Sequence, residues 1–271
     1  MKNYFVIGSP IEHSLSPLIF NYLFDFYKID AIYEKKLISS SVELNNFMFN
    51  GLMMGCNITS PYKEKVFNLV DENDLSALKY CSVNCIKKTK SGLIGFNTDD
   101  YGFLKMIENQ DITLNNKNVL ILGYGASAKT ISTILSKKFN SNMFIYGRNN
   151  DKIDSFIDIA KSINKKVVIR HYKKINAPVD IVINCLPVNL DRNSIISILK
   201  FLNYIPISNT NIFIDLNYIE TDLNKEIMFN KNICNFILGL DMLIFQALKT
   251  FEIWFDRKSK VNYNEIKKAI K

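Results

Sequence analysis

Short apolar runs alternate along this chain with stretches whose apolar residues recur at helical spacing. Tyr4 to Gly8 predicts a strand, and Leu18 to Tyr27 a helix. Ile32 to Ile38 then predicts a strand, Val42 to Phe49 a helix and Met53 to Ile58 a strand. A helix over Tyr62 to Val70 follows, opened by Ser60 as cap and Pro61 in its first position. Alternation of this kind predicts a mostly parallel sheet with crossover helices.

A polar stretch from Asn109 to Asn118 reads as a linker, and a second series begins after it. Val119 to Leu122 is a buried-strand run. Gly123-Tyr124-Gly125-Ala126-Ser127-Ala128 is a turn of small residues, and Lys129 to Lys138 a helix leading to the strand Met143 to Tyr146. Further strands are expected over Val167 to Arg170, Ile181 to Ile183 and Ile212 to Ile214. A long helix from about Asp241 carries the apolar stripe Ile244, Leu248, Phe251 and Phe255, with Gln246 on its other side. There is no internal repeat and no low-complexity segment.

Gly123-x-Gly125-x-x-Ala128 between strand and helix places glycine at a tight turn and at the close approach to a pyrophosphate, with a small residue where helix meets strand. The helix N-terminus adds free N–H groups and the positive end of its dipole. An ordinary tight turn would also use these residues, but the flanking strand and helix favour a dinucleotide site. At the end of the next strand, Arg148 stands where NAD enzymes carry an acidic residue, and Lys152 adds a second charge, with Asn149 between them. That arrangement favours the 2′-phosphate of NADP.

The chain has 34 basic and 26 acidic residues, a net charge of +8. Nucleic acid is not the expected partner, because the only arginines, Arg148, Arg170, Arg192 and Arg257, stand far apart. The longest uncharged stretch, Leu44 to Tyr62, is broken by asparagines, threonine, serine and proline, and predicts no membrane span. The opening apolar run is too short for the core of a signal peptide, so the expected location is cytoplasmic. Cys56, Cys81, Cys85, Cys185 and Cys234 are scattered, and only His13 and His171 accompany them; neither a disulfide framework nor a metal site is expected.

Three loops of the first half carry candidate chemistry. In Gly8 to Pro17, Ser16 reads as a helix cap before Pro17, while Ser14 lacks that explanation; two hydroxyls beside a helix N-terminus suit a carboxylate. In Asn57 to Lys63, the lysine falls in the first helical turn, where the helix dipole opposes its charge and favours proton exchange. In Gly95 to Gly102, Asp99 fits a first helical turn behind Asn97 or Thr98, or an acceptor for a hydroxyl and for Lys63.

With Ser82-Val83-Asn84, Asp215 to Tyr218 and Gly239-x-x-Met242-Leu243-x-x-Gln246, these motifs follow nearly the whole chain in the order of the shikimate dehydrogenases, which the sequence resembles. The resemblance implies an α/β protein of two domains. Residues 1–100 with 237–271 would form a mostly parallel substrate domain, and 101–236 a doubly wound, Rossmann-like NADP domain. It implies NADPH-dependent, reversible reduction of 3-dehydroshikimate to shikimate in aromatic amino-acid and chorismate biosynthesis, by a monomer or homodimer. Lys63 and Asp99 would be the catalytic pair. Ser14, Ser16, Asn57, Thr59, Asn84, Asp99, Tyr218 and Gln246 would bind substrate, and Leu216 and Gly239 would lie against the nicotinamide. The chain has Gly147-Arg148-Asn149 for the family's Asn-Arg-Thr and Asn184 to Asn189 for its Asn-x-Thr-x-x-Gly, and lacks a proline soon after Tyr218. The alternatives are a quinate/shikimate enzyme that uses NAD, and a non-catalytic NADP-binding sensor.

Overall fold

A computed structural model of the chain describes residues 1–163, 168–229 and 235–270. These fall into two compact units, Met1–Lys105 with Asp241–Lys271, and Met106–Leu240. The division lies a few residues beyond the expected one at both ends.

The first unit runs β1 (Lys2–Gly8), α1 (Ser16–Phe26), β2 (Ala31–Leu37), α2 (Ser41–Phe49), β3 (Met53–Ile58), α3 (Lys63–Phe67), β4 (Glu72–Asn73), α4 (Leu75–Leu78), β5 (Cys85–Thr89), β6 (Gly92–Phe96) and α5 (Asp99–Asn109). Its sheet has the order β2-β1-β3-β5-β6-β4. β1 pairs parallel with β2 and β3, whereas β5 runs antiparallel to both β3 and β6. The carboxyl ends of β1, β3 and β6 and the start of β5 therefore share one edge of the sheet.

The second unit runs β7 (Asn118–Leu122), α6 (Ala126–Lys138), β8 (Asn142–Tyr146), α7 (Asn150–Ile163), β9 (Ile169–His171), β10 (Val179–Asn184), α8 (Arg192–Tyr204), β11 (Ile207–Asp215), α9 (Asp222–Met228) and β12 (Asn235–Leu238). Its strands pair in parallel in the order β12-β11-β10-β7-β8-β9. This is the doubly wound order, whose direction reverses between β7 and β10. Leu120, Leu122, Phe144, Val182 and Phe213 from its central strands are buried against α8 residues Ile195, Ile198 and Leu202. The chain ends with α10 (Leu240–Phe255) and α11 (Tyr263–Ala269). α10 seats Trp254 on Tyr4 and Phe20, with its indole N–H donating to the Ile86 carbonyl at 2.8 Å.

Several local expectations need correcting. Leu15, not Ser16, is the cap residue of α1, and Ser16 and Pro17 are its first two residues. α3 is capped at Tyr62 rather than Ser60, so Pro61 lies outside it, and it stops at Phe67. The Ser60 carbonyl is drawn off to accept from the Ser9 amide at 3.0 Å, which delays the helix; beyond Phe67 the chain leaves to lay β4 beside β6. α6 starts at Ala126, so Ala126 to Ala128 form its first turn. Val167, expected to open a strand, and Cys234 lie outside the described residues. Gln246 lies across α10 from Ile244 and is buried there, as Thr250 and Trp254 are, so that side of the helix is covered too. The reason is α5: it crosses at Gly102, where a side chain would meet the Met242 carbonyl and Gln246 Cβ.

Among the described residues, no helix is long and apolar enough to cross a membrane.

Candidate active site

Asn57 is the fifth residue of β3, Asn84 precedes β5 and Asp99 opens α5, so the topology brings all three to one sheet edge. Lys63 joins them because its carbonyl accepts from the Val83 amide at 2.9 Å, which fastens the start of α3 beside Asn84. The Lys63 ammonium donates to Asp99 Oδ2 at 2.6 Å, and both side chains are largely buried. Asn84 Nδ2 donates to the other carboxylate oxygen, Oδ1, at 2.7 Å and to Thr98 Oγ1 at 3.0 Å. Asn84 Oδ1 accepts from the Thr98 amide at 2.8 Å, so one amide group locks the turn into α5. The Asp99 amide in turn donates to Asn97 Oδ1 at 3.0 Å.

The network continues through Asn57, whose Nδ2 donates to the Asn84 carbonyl at 3.1 Å and to Thr250 Oγ1 at 3.3 Å. Its Oδ1 accepts from the Tyr33 hydroxyl at 2.8 Å. A charge pair kept out of bulk water and surrounded by satisfied amides is stiff and interacts strongly with a neighbouring polar ligand. α3, at five residues, is too short for its dipole to dominate Lys63; the neighbouring carboxylate does.

Ser14, in the loop after β1, and Ser16, at the start of α1, are both buried. The Ser16 amide donates to Ser14 Oγ at 3.3 Å, so the structural part expected of Ser16 belongs to Ser14. Thr59 follows β3, its methyl packed against Gly8.

In the second unit, Gly123 has φ +100°, a conformation that side chains resist, and its amide donates to the Tyr146 carbonyl at 2.8 Å. It stands against Cys185 after β10, so the turn lies at the point where strand order reverses. α6 begins after Gly125 with no side-chain cap, and a side chain at Gly125 would meet open space among the described residues. An uncapped helix start facing open space suits a pyrophosphate, and the residues present fit the dinucleotide. Tyr124 lies against Gly147. Arg148 is exposed beyond β8, with Lys152 nearby, and Asn149 Oδ1 accepts from the Lys152 amide at 2.9 Å to cap α7. Gly239 packs on the Leu216 carbonyl. Asp215, fully buried at the end of β11, has its carboxyl pushed up to about 6 by loss of solvent, against hydrogen bonds from Asn217. No group of three or more metal-ligating side chains occurs among the described residues.

Residues 6–86 match the family model of the shikimate dehydrogenase substrate binding domain. The shikimate dehydrogenase (NADP(+)) of Pelagibacter ubique is 34% identical over 260 residues, 93% of this chain and 93% of that one. That of Caldicellulosiruptor saccharolyticus is 30% identical over 94% of this chain and 93% of its own length. The chain belongs to the shikimate dehydrogenase family.

Solved family members share the fold end to end. The Aquifex aeolicus shikimate dehydrogenase superposes with TM-score 0.81 at 26% identity, covering 100% of this chain and 98% of that one. A shikimate dehydrogenase crystallised in complex with NADP+ gives 0.80 at 27%, covering 100% and 94%.

Of the residues that the family resemblance singles out, Asn57, Lys63, Asn84, Asp99 and Gln246 are brought into one network, since Thr98 Oγ1 donates to Gln246 Oε1 at 3.4 Å. Ser14, Ser16 and Thr59 sit beside it along the same sheet edge. Tyr218, Leu216 and Gly239 belong to the second unit. Tyr33 and Thr250 are network members that sequence reasoning missed, and Thr98 is one that it read only as a candidate helix cap. Thr250 lies one helical turn after Gln246, and that uncharged polar pair at a spacing of four was a readable signal; Tyr33 had none.

Proposed function

We propose that this chain catalyses the NADPH-dependent, reversible reduction of 3-dehydroshikimate to shikimate, with Lys63 and Asp99 as the acid–base pair. The observation that carries the reading is the 2.6 Å contact between their side chains inside a closed hydrogen-bond network. Membership of the family and the match of residues 6–86 to its substrate-binding domain support it.

In this reading the first unit takes the substrate. Ser14 and Ser16 hold its carboxylate, and Asn57, Thr59, Asn84 and Gln246 its hydroxyls. Asp99 accepts from the hydroxyl next to the reacting carbon and keeps the Lys63 ammonium aimed at the ketone oxygen. Lys63 gives that oxygen a proton as the alcohol forms, and its charge stabilises the oxygen before transfer is complete. In the reverse direction Lys63 takes the proton back. Bound NADPH supplies the hydride. The turn Gly123 to Ala128 and α6 hold its pyrophosphate, Arg148, Asn149 and Lys152 its 2′-phosphate side, and Leu216 and Gly239 its nicotinamide. A non-catalytic sensor has no use for the buried lysine–carboxylate pair. The substrates are small water-soluble acids, in keeping with a cytoplasmic enzyme.

The test is a matrix of shikimate or quinate against NADP or NAD, followed by the absorbance of the reduced nicotinamide. Fastest turnover with shikimate and NADP is expected; no turnover with any pair would overturn the assignment.

A further inference from the structure

Arg148 does not stand alone beside the dinucleotide turn. Its guanidinium donates to Ser194 Oγ at 2.9 Å and to Asp191 Oδ2 at 3.4 Å. Asp191 is the cap residue of the thirteen-residue helix α8: its Oδ1 accepts from the Ser194 amide at 2.9 Å and its Oδ2 from the Ser194 hydroxyl at 2.5 Å. Those hydrogen bonds, and to a smaller degree Arg148, hold the Asp191 carboxyl below the usual carboxylate range, so it is charged at neutral pH. α8 follows β10, on the side of the order reversal opposite β8, beyond whose end Arg148 stands.

We propose that Asp191 sets the strength of the preference for NADP over NAD, by competing with the cofactor's 2′-phosphate for the Arg148 guanidinium. This rests on the reading of Arg148 as the 2′-phosphate ligand. A dianionic phosphate arriving at Arg148 meets a carboxylate already paired there and held in place by its own cap bonds. It must displace that carboxylate or share the guanidinium with it, and the two like charges repel. A 2′-hydroxyl, carrying no charge, escapes the repulsion. The side chains are 67% and 60% exposed, so solvent screening keeps the effect modest.

Asp191→Asn removes the charge and keeps an excellent helix cap. Calorimetric titration of the purified full chain with adenosine 2′,5′-bisphosphate and with 5′-AMP reads the effect without turnover. Asp191→Asn is expected to tighten the bisphosphate about 3- to 10-fold at low salt, less at high salt, and to leave 5′-AMP unchanged. A merely structural role would move both ligands alike, and that result, or an unchanged bisphosphate affinity, would overturn the proposal. Arg148→Ala separates the two readings. If it weakens the bisphosphate while Asp191→Asn does nothing, only the role of Asp191 fails. If Arg148→Ala leaves the bisphosphate unaffected, the assignment of the 2′-phosphate site fails as well.

Discussion

The Asp99 carboxylate is shared: one oxygen takes the Lys63 ammonium at 2.6 Å and the other the Asn84 amide at 2.7 Å. Removing either partner therefore changes both charge balance and geometry. Lys63→Ala is expected to lower turnover roughly 100- to 10,000-fold. It also leaves a largely buried carboxylate without its counter-ion, at a cost on the order of 3 kcal/mol. The double variant Lys63→Ala/Asp99→Asn should regain much of that stability and none of the activity. Steady-state kinetics and thermal melts check this. A Lys63→Ala protein with near-parent turnover would end the catalytic assignment.

Lys63→Arg should fail as well, although the charge is kept. Guanidinium does not release its proton near neutral pH, and its planar fork does not replace a compact ammonium. Cofactor affinity, followed by fluorescence, should be unchanged in this variant.

Ser14 and Ser16 are expected to separate in a way that the hydrogen bond between them decides. Ser14→Ala removes the acceptor of the Ser16 amide at the start of α1, which should cost about 1 kcal/mol of stability and weaken shikimate binding. Ser16→Ala should weaken shikimate binding with little change in stability, because Ser16 does not cap the helix. Equal stability losses in the two variants would contradict this division.

Tyr33→Phe takes away the donor to Asn57 Oδ1 in a buried setting, and is expected to cost about 1–3 kcal/mol. Because Asn57 then loses its fixed orientation, the KM for shikimate should rise while that for NADP stays the same. An unchanged shikimate KM would remove Asn57 from the substrate site.

Asp215 gives a pH dependence of definite sign. Burial raises its carboxyl from 3.8 to about 6 in the folded protein, so between those values the folded chain holds a proton that the unfolded chain has lost. Its contribution to stability is therefore present below about pH 4 and lost as the pH rises through 6, by about 3 kcal/mol in all. Asp215→Asn should remove this slope. Urea unfolding at pH 4.5 and pH 8 is expected to show the variant gaining on the parent at the higher pH, and a pH-independent difference would refute the assignment.

What the sequence alone determined is whatever depends on neighbours along the chain. The apolar run Val119 to Leu122, with glycines behind it and a helical period beyond, announces a dinucleotide turn, because strand, turn and helix are local choices. The loops carrying Ser14, Lys63 and Asp99 were legible for the same reason, as motifs that each follow a strand. Where a helix begins was less legible. Tyr62 displaced the better capping residue Ser60 because a hydrogen bond from elsewhere in the fold, Ser9 to the Ser60 carbonyl, competes with local preference, and at α1 the Ser14 hydroxyl took the Ser16 amide. Only the tertiary structure decided which side chains meet. Lys63 reaches Asp99 because β5 runs antiparallel between β3 and β6, and strand order is not written in any one segment. Arg148 finds Asp191, 43 residues further on, through the doubly wound order of the second sheet. Hydrogen bonds last only over about 3 Å, so partners distant in sequence depend on register and packing, to which local periodicity is blind.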